Sequence, residues 1–218
     1  MTYMVVGFPK SGTNLLHRML AHYLDGPGES LWNGIGKHRY VVKIHWPYQY
    51  AEHGNAKVVD IVRDPKDVAV SVYFFYLKFL GSHHDHSRAN LPFAEFVRNQ
   101  FANGFDGYAC WPTGWRGNTE YWLSANVSAR VLYEKLRNDR ERAFRGILEE
   151  LGVGVEEERL RHAVIASYQF QPQRPSYMDS GMVDAGQSEW KHFFDDGLKE
   201  FMWDYAGDLM RKFGYRKD

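Results

Sequence analysis

A chain of 218 residues with 44% hydrophobic residues has enough apolar material for one compact domain spanning residues 1–218, and 27 basic against 27 acidic residues leave no net charge. With Lys and Arg scattered, that balance gives none of the electrostatic footprint expected of a nucleic-acid or membrane-surface binder. The single cysteine, Cys110, excludes an intrachain disulfide, no apolar run approaches the roughly 20 residues of a membrane span, and no charged-then-apolar leader precedes the first apolar run; a soluble, cytoplasmic protein is expected.

In chain order, the β-branched and aromatic run at residues 3–6 (YMVV) predicts a buried first strand, stopped by Gly7 and Pro9. From Gly12 onward Leu15, Leu16, Met19, Leu20 and Tyr23 recur at helical spacing. The Gly-rich stretch 25–37 has no period and reads as a loop. A second strand is predicted at residues 40–44 (YVVKI), followed by His45, Trp46 and Pro47, and a third at 57–62 (KVVDIV). Asp64, Pro65 and Asp67 then form a helix start, with Asp64 as N-cap, for a helix over 65–80. The polar stretch 81–91 carries HHDH; imidazoles and a carboxylate are suitable metal ligands, but their adjacency favours a surface loop. Residues 92–103 read as an amphipathic helix. Residues 104–117 are aromatic and Gly-rich, and Trp111 and Trp115 suit a core or a pocket wall equally. A fourth strand is predicted at 130–133 (RVLY), with a helical return over 134–151 ending at Gly152 as C′. Helices follow at 156–167, 190–194 and 198–213, the first separated from the others by a long loop at 168–189 of the kind that often forms a lid.

Strands separated by helical crossovers imply parallel pairing, with ligands bound at the carboxyl ends of the strands. The 7–12 loop, His45 and Arg63 all stand at such ends. The loop itself delivers backbone amides to a helix N-terminus, where the unpaired N–H groups and the positive end of the dipole attract an anion. Lys10, Ser11, Thr13 and Asn14 add a cation and hydrogen-bonding side chains. Gly7 and Gly12 have the GxxxxG spacing of a Walker A loop, but Thr13 and Asn14 follow where a nucleotide triphosphatase carries Lys and then Ser or Thr, and the lysine lies inside the loop.

The motif PKSGT (residues 9–13) resembles the 5′-phosphosulfate loop of sulfotransferases that use 3′-phosphoadenosine 5′-phosphosulfate (PAPS). Residues 57–76, KVVDIVRDPKDVAVSVYFFY, are similar to that family's 3′-phosphate segment, and KIHWP (43–47) is similar to its KTHLP strand end. The resemblance implies a three-layer α/β fold with a central parallel sheet flanked by helices, the P-loop-like sulfotransferase fold. It implies donor binding by Lys10, Ser11, Gly12, Thr13, Asn14, Arg63 and Ser71, and His45 as the catalytic base. VLYEKL (131–136) resembles the family's LYEDL strand, which adds Tyr133 as a nucleotide contact. The C-terminal lid RKGxxGDWK is present only in part: Gly186, Trp190 and Lys191 survive, Asp179 and Ser180 stand where its basic pair is expected before Gly181, and Arg174 or Lys191 is the candidate substitute. Leu15 replaces a tryptophan common beside the adenine.

The chemistry of these residue types agrees. An arginine fork and a hydroxyl suit a dianionic phosphate. An imidazole with a pKa near 6.5 can take the proton that an attacking hydroxyl, phenol or amine loses. Lys10 and Lys43 would stabilise charge developing in the displacement, at about 3 kcal/mol per donor. The expected function is therefore sulfuryl transfer from PAPS to a small-molecule hydroxyl or amine, with no metal and no nucleic-acid or membrane partner. Two alternatives stand beside it: a P-loop kinase or phosphotransferase using ATP and Mg2+, for which Asp60 and Asp64 leave the carboxylate question open, and a nucleotide-binding module without turnover.

Overall fold

The computed structural model describes residues 1–26, 41–45, 55–82, 91–103, 114–169 and 189–218. In chain order the strands are β1 (Tyr3–Val6), β2 (Val41–Lys43), β3 (Lys57–Val62) and β4 (Ala129–Leu132). The α-helices are α1 (Thr13–Asp25), α2 (Pro65–Ser82), α3 (Phe93–Phe96), α4 (Trp115–Ser124), α5 (Tyr133–Asn138), α6 (Arg140–Glu150), α7 (Glu157–Gln169) and α8 (Asp196–Lys212). These elements form two compact units, Met1–Arg63 with Asn118–Gln171 and Asp64–Gly117 with Pro172–Asp218.

The first unit holds a four-stranded, all-parallel sheet of order β2-β1-β3-β4. Because side chains alternate across a strand, β1 sends Val5 to one face and Met4 and Val6 to the other. On Val5's side, Val59, Ile61, Ala129 and Val131 pack with Leu16, Met19 and Leu20 of α1, Phe144 and Ile147 of α6, and Leu160 of α7. On the opposite side Met4, Val6, Ile44 and Val58 pack with Trp122 of α4. Both faces are covered, which is why the strands read as continuous apolar runs. The expected three-layer α/β architecture is present. Asp60 in β3 is 2% exposed and meets Arg130 of β4, whose Nε donates to Oδ2 at 2.7 Å while Nη2 donates to the Trp122 carbonyl at 2.6 Å.

In the second unit Asp64 caps α2 as expected, its Oδ1 accepting the Lys66 amide at 2.9 Å. Lys66 is 1% exposed; its Nζ donates to the carbonyls of Arg216 and Lys217 at 2.7 and 3.0 Å and lies 3.6 Å over the Trp190 ring. Arg116 forks onto Asp208 at 2.6 and 3.0 Å and donates to the Tyr205 carbonyl at 2.8 Å. Trp115 is fully buried and so joins the core.

Several boundaries differ from the sequence reading. The helix expected over 134–151 is two helices, broken at Asp139, whose carboxylate accepts the Arg142 amide at 3.1 Å and so starts α6. The fourth strand is shifted by one residue, so that Tyr133 opens α5. The segment 92–103 forms α3 and then a π-helical turn, Val97–Phe101. Residues 190–194 are expected as helix; a 3-10 turn occupies Glu189–His192. Gly152 has φ 63°, as a C′ glycine should. Most of the expected loops, with HHDH, Cys110, Trp111, Arg174, Asp179, Ser180, Gly181 and Gly186, lie outside the described residues.

Candidate active site

The loop between β1 and α1 is built on two glycines for different reasons. A Cβ at Gly7 (φ 142°) would lie 2.4 Å from the Ile61 carbonyl oxygen, and one at Gly12 (φ 99°) would lie 2.5 Å from the Tyr133 ring. Only glycine lets the loop approach β3 and α5 so closely. Between them Lys10 sits at φ 70°, a left-handed conformation uncommon for a lysine. Gly12 is the N-cap of α1 and supplies no side-chain acceptor, so the helix opens with amides that no cap satisfies. Ser11 is 1% exposed and its Oγ has no hydrogen-bond partner.

Arg63, just past β3, donates from Nη1 to the Lys10 carbonyl at 3.2 Å and lies 4.6 Å over the Tyr133 ring. Its Nε is buried without a partner. An orphaned hydroxyl, an orphaned guanidinium nitrogen and an uncapped helix start are the complement an oxyanion requires. Lys43, the last residue of β2, donates to Asn14 Oδ1 at 2.6 Å; burial, and secondarily Arg18, lower its pKa.

His45 follows β2. Its Nδ1 lies 2.9 Å from the Gly7 carbonyl oxygen, which can only accept, so Nδ1 carries the proton and the neutral ring has its basic lone pair on Nε2. Burial lowers the pKa to about 4; the Gly7 hydrogen bond opposes this and the charge of Lys43 adds to it. The imidazole is therefore neutral at physiological pH, the form a general base requires.

The first unit thus brings together Lys10, Ser11, Gly12, Thr13, Asn14, Lys43, His45, Arg63 and Tyr133. Three further candidates belong to the second unit. Ser71 is half-buried on α2. Trp190 is 4% exposed, packed on Lys66 and edge-to-face with Phe194, and its amide donates to Asp67 at 3.3 Å. Lys191 is exposed. Asn118 on α4 escaped the sequence reading: it is 1% exposed, and its Nδ2 donates to the His45 carbonyl at 2.7 Å. The available signal was Trp115 and Trp122 seven residues apart, marking one helical face on which Asn118 also falls.

The sequence profile of the sulfotransferase domain matches residues 36–214, most of the chain. The chain belongs to the sulfotransferase family. The matched segment contains His45, Arg63, Ser71, Tyr133 and Trp190 and starts downstream of the 7–12 loop. This sulfotransferase is 25% identical to mouse sulfotransferase 4A1 over an alignment of 230 positions, covering 90% of this chain and 75% of that one. It is 26% identical to mouse sulfotransferase 1E1 over 208 positions, covering 82% and 66%. Among solved structures, mouse sulfotransferase SULT7A1 complexed with PAP matches with a TM-score of 0.66 at 18% identity, over 96% of this chain and 84% of its own. Retinol dehydratase in complex with androsterone and the inactive cofactor PAP matches with a TM-score of 0.64 at 15% identity, over 99% and 82%.

Proposed function

We propose that this sulfotransferase moves a sulfuryl group from PAPS to a hydroxyl or amine of a small-molecule acceptor, acting as a cytosolic single-domain enzyme with His45 as base. The observation that carries this reading is the hydrogen bond between His45 Nδ1–H and the Gly7 carbonyl. It ties a neutral imidazole to the loop whose amides suit an anionic donor, so base and donor site share one piece of backbone.

The residues present fit the donor: the unpartnered Ser11 Oγ and Arg63 Nε, and the amides at the start of α1, are hydrogen-bond donors in search of oxyanions. PAPS, when bound, supplies the sulfuryl group. Lys10, Ser11, Gly12, Thr13 and Asn14 bind its 5′ side, and Arg63 and Ser71 the 3′-phosphate. Tyr133, Trp190 and Lys191 are the remaining nucleotide contacts proposed. His45 Nε2 takes the proton from the acceptor, while Lys10 and Lys43 balance the negative charge that builds. The structural neighbours with PAP, and with retinol or androsterone in retinol dehydratase, support a bisphosphate donor product and a small apolar acceptor. The kinase alternative is disfavoured because the Asp60 carboxylate is held by Arg130 and Asp64 is spent capping α2.

The test is calorimetric titration with adenosine 3′,5′-bisphosphate and with ATP, each with and without Mg2+. Metal-independent binding of the bisphosphate with little ATP affinity is expected. ATP binding that requires Mg2+, without response to the bisphosphate, overturns the reading. His45→Ala should then abolish turnover across an acceptor panel and leave bisphosphate binding within about twofold.

A further inference from the structure

We infer that the Gly7 carbonyl and Asn118 form a two-point clamp that fixes the tautomer and orientation of His45, making Gly7 and Asn118 positioning residues for the base. The inference rests on the reading of His45 as that base.

Three observations carry it. The ladder of β2 against β1 extends one residue beyond the strand, with the Ile44 amide donating to the Val5 carbonyl at 3.0 Å. His45 follows that rung, and its main-chain carbonyl accepts from the Asn118 Nδ2 of α4 at 2.7 Å. Only the amide NH2 can donate to a carbonyl, which sets which way the Asn118 side chain faces. On the other side of the residue, the ring is locked by Gly7. That carbonyl is aimed by a backbone conformation at φ 142° which a side chain would drive into Ile61. Backbone and ring are thus held by different elements, α4 and the 7–12 loop, and a residue anchored at both ends has few orientations left.

The third observation is energetic. Asn118 is buried with its Oδ1 unpartnered, and an unsatisfied buried acceptor is destabilising. An apolar side chain in the Trp115–Trp122 face of α4 would avoid that cost. The amide is therefore poorly explained as packing and well explained by what its donor holds. Around His45, Lys43 from β2 carries charge, the loop presents the Gly7 carbonyl to the ring, and α4 presents the neutral Asn118 amide to the main-chain carbonyl. Arg18 of α1 acts on Lys43. Donor binding at the 7–12 loop and the state of the base are in this way linked, because the same loop serves both.

The experiment uses the full chain labelled with 15N-histidine, with long-range 1H–15N correlation spectra read for His45 through a pH series, together with the pH profile of kcat. The expected parent signal is a single Nδ1–H tautomer; an Nε2–H tautomer overturns the inference without any variant. In Asn118→Ala and in the isosteric Asn118→Asp, whose carboxylate cannot donate, both tautomers should appear. The acid limb of kcat should move up toward the ordinary histidine value, and kcat should fall roughly ten- to hundredfold with bisphosphate affinity kept. Unchanged tautomer and acid limb in both variants, even with a lowered melting temperature, would mean that Asn118 only packs. Failure of the base reading shows separately, as turnover surviving in His45→Ala.

Discussion

At the residue scale the two most perturbed buried groups of the first unit pull stability in opposite directions with pH. His45 has its pKa lowered by burial to about 4, so between 6.5 and 4 the unfolded chain takes a proton that the folded chain refuses. Its contribution is present above 6.5 and is lost as pH falls through 4. Asp60 has its pKa raised by burial to about 6, with Arg130 opposing the shift, so over 6 down to 3.8 the folded chain binds the proton and gains stability as pH falls. Denaturation midpoints of Asp60→Asn should therefore drop more steeply between pH 6.5 and 4 than those of the parent; parallel slopes would sink this account. For catalysis, kcat/KM with saturating donor should keep its acid limb well below 6.5, because the base is already neutral there. Arg63, with an orphaned Nε and a ring beneath it, is the residue whose loss should be selective. Arg63→Ala should weaken adenosine 3′,5′-bisphosphate by roughly tenfold or more and leave adenosine 5′-phosphosulfate, which lacks the 3′-phosphate, little changed. Equal losses for both ligands would remove Arg63 from the 3′ site.

At the scale of elements, α6 carries a glycine at its centre without geometric need. A Cβ at Gly146 meets nothing within 4 Å, and its φ is not in the left-handed region. Gly146→Ala should raise stability by about 0.5–1 kcal/mol in denaturant melts, since it removes backbone entropy from the unfolded chain and clashes with nothing. The sheet has the opposite kind of position at Arg130. Arg130→Met leaves the buried Asp60 carboxylate uncompensated and should cost about 3–5 kcal/mol, most of it recovered when Asp60→Asn is added. No recovery in the double variant would show that Arg130 acts through packing and its Trp122 contact alone.

The same elements explain what could be read in advance. The loop, β1, β3 and the start of α2 were legible because each is local: apolar runs buried on both faces, glycines where the chain must turn, and Asp64 before Pro65. The helix α4 was not, because Asn118 and Thr119 interrupt with polarity a face that Trp115 and Trp122 bury. The reason Asn118 is there, a carbonyl contributed from residue 45, lies 73 residues away. The break at Asp139 was hidden for a related reason: its neighbours favour helix, and only the cap made by the Asp139 side chain separates α5 from α6. Lys66 reads as a surface charge beside Asp67, yet it is buried against the carbonyls of Arg216 and Lys217, a partnership invisible at a sequence separation of 150.

For the whole molecule, a ligand that binds only the folded state stabilises it by mass action, by about 2.7 kcal/mol at a hundredfold excess over Kd. Adenosine 3′,5′-bisphosphate should accordingly raise the melting temperature in a concentration-dependent way without added metal, and Ser11→Ala should reduce that rise. A melting temperature indifferent to the bisphosphate would count against the donor site as a whole. The strand order has a consequence for how the protein comes into being. The two central strands, β1 and β3, are separated by some fifty residues, and β3 meets its other neighbour, β4, only after α2, α3 and α4 have been made. At about 5–20 residues per second on the ribosome, β1 waits on the order of ten seconds between its synthesis and that of Leu132, the last residue of the sheet. During that interval its apolar faces have no complete sheet to join, which leaves them exposed to aggregation.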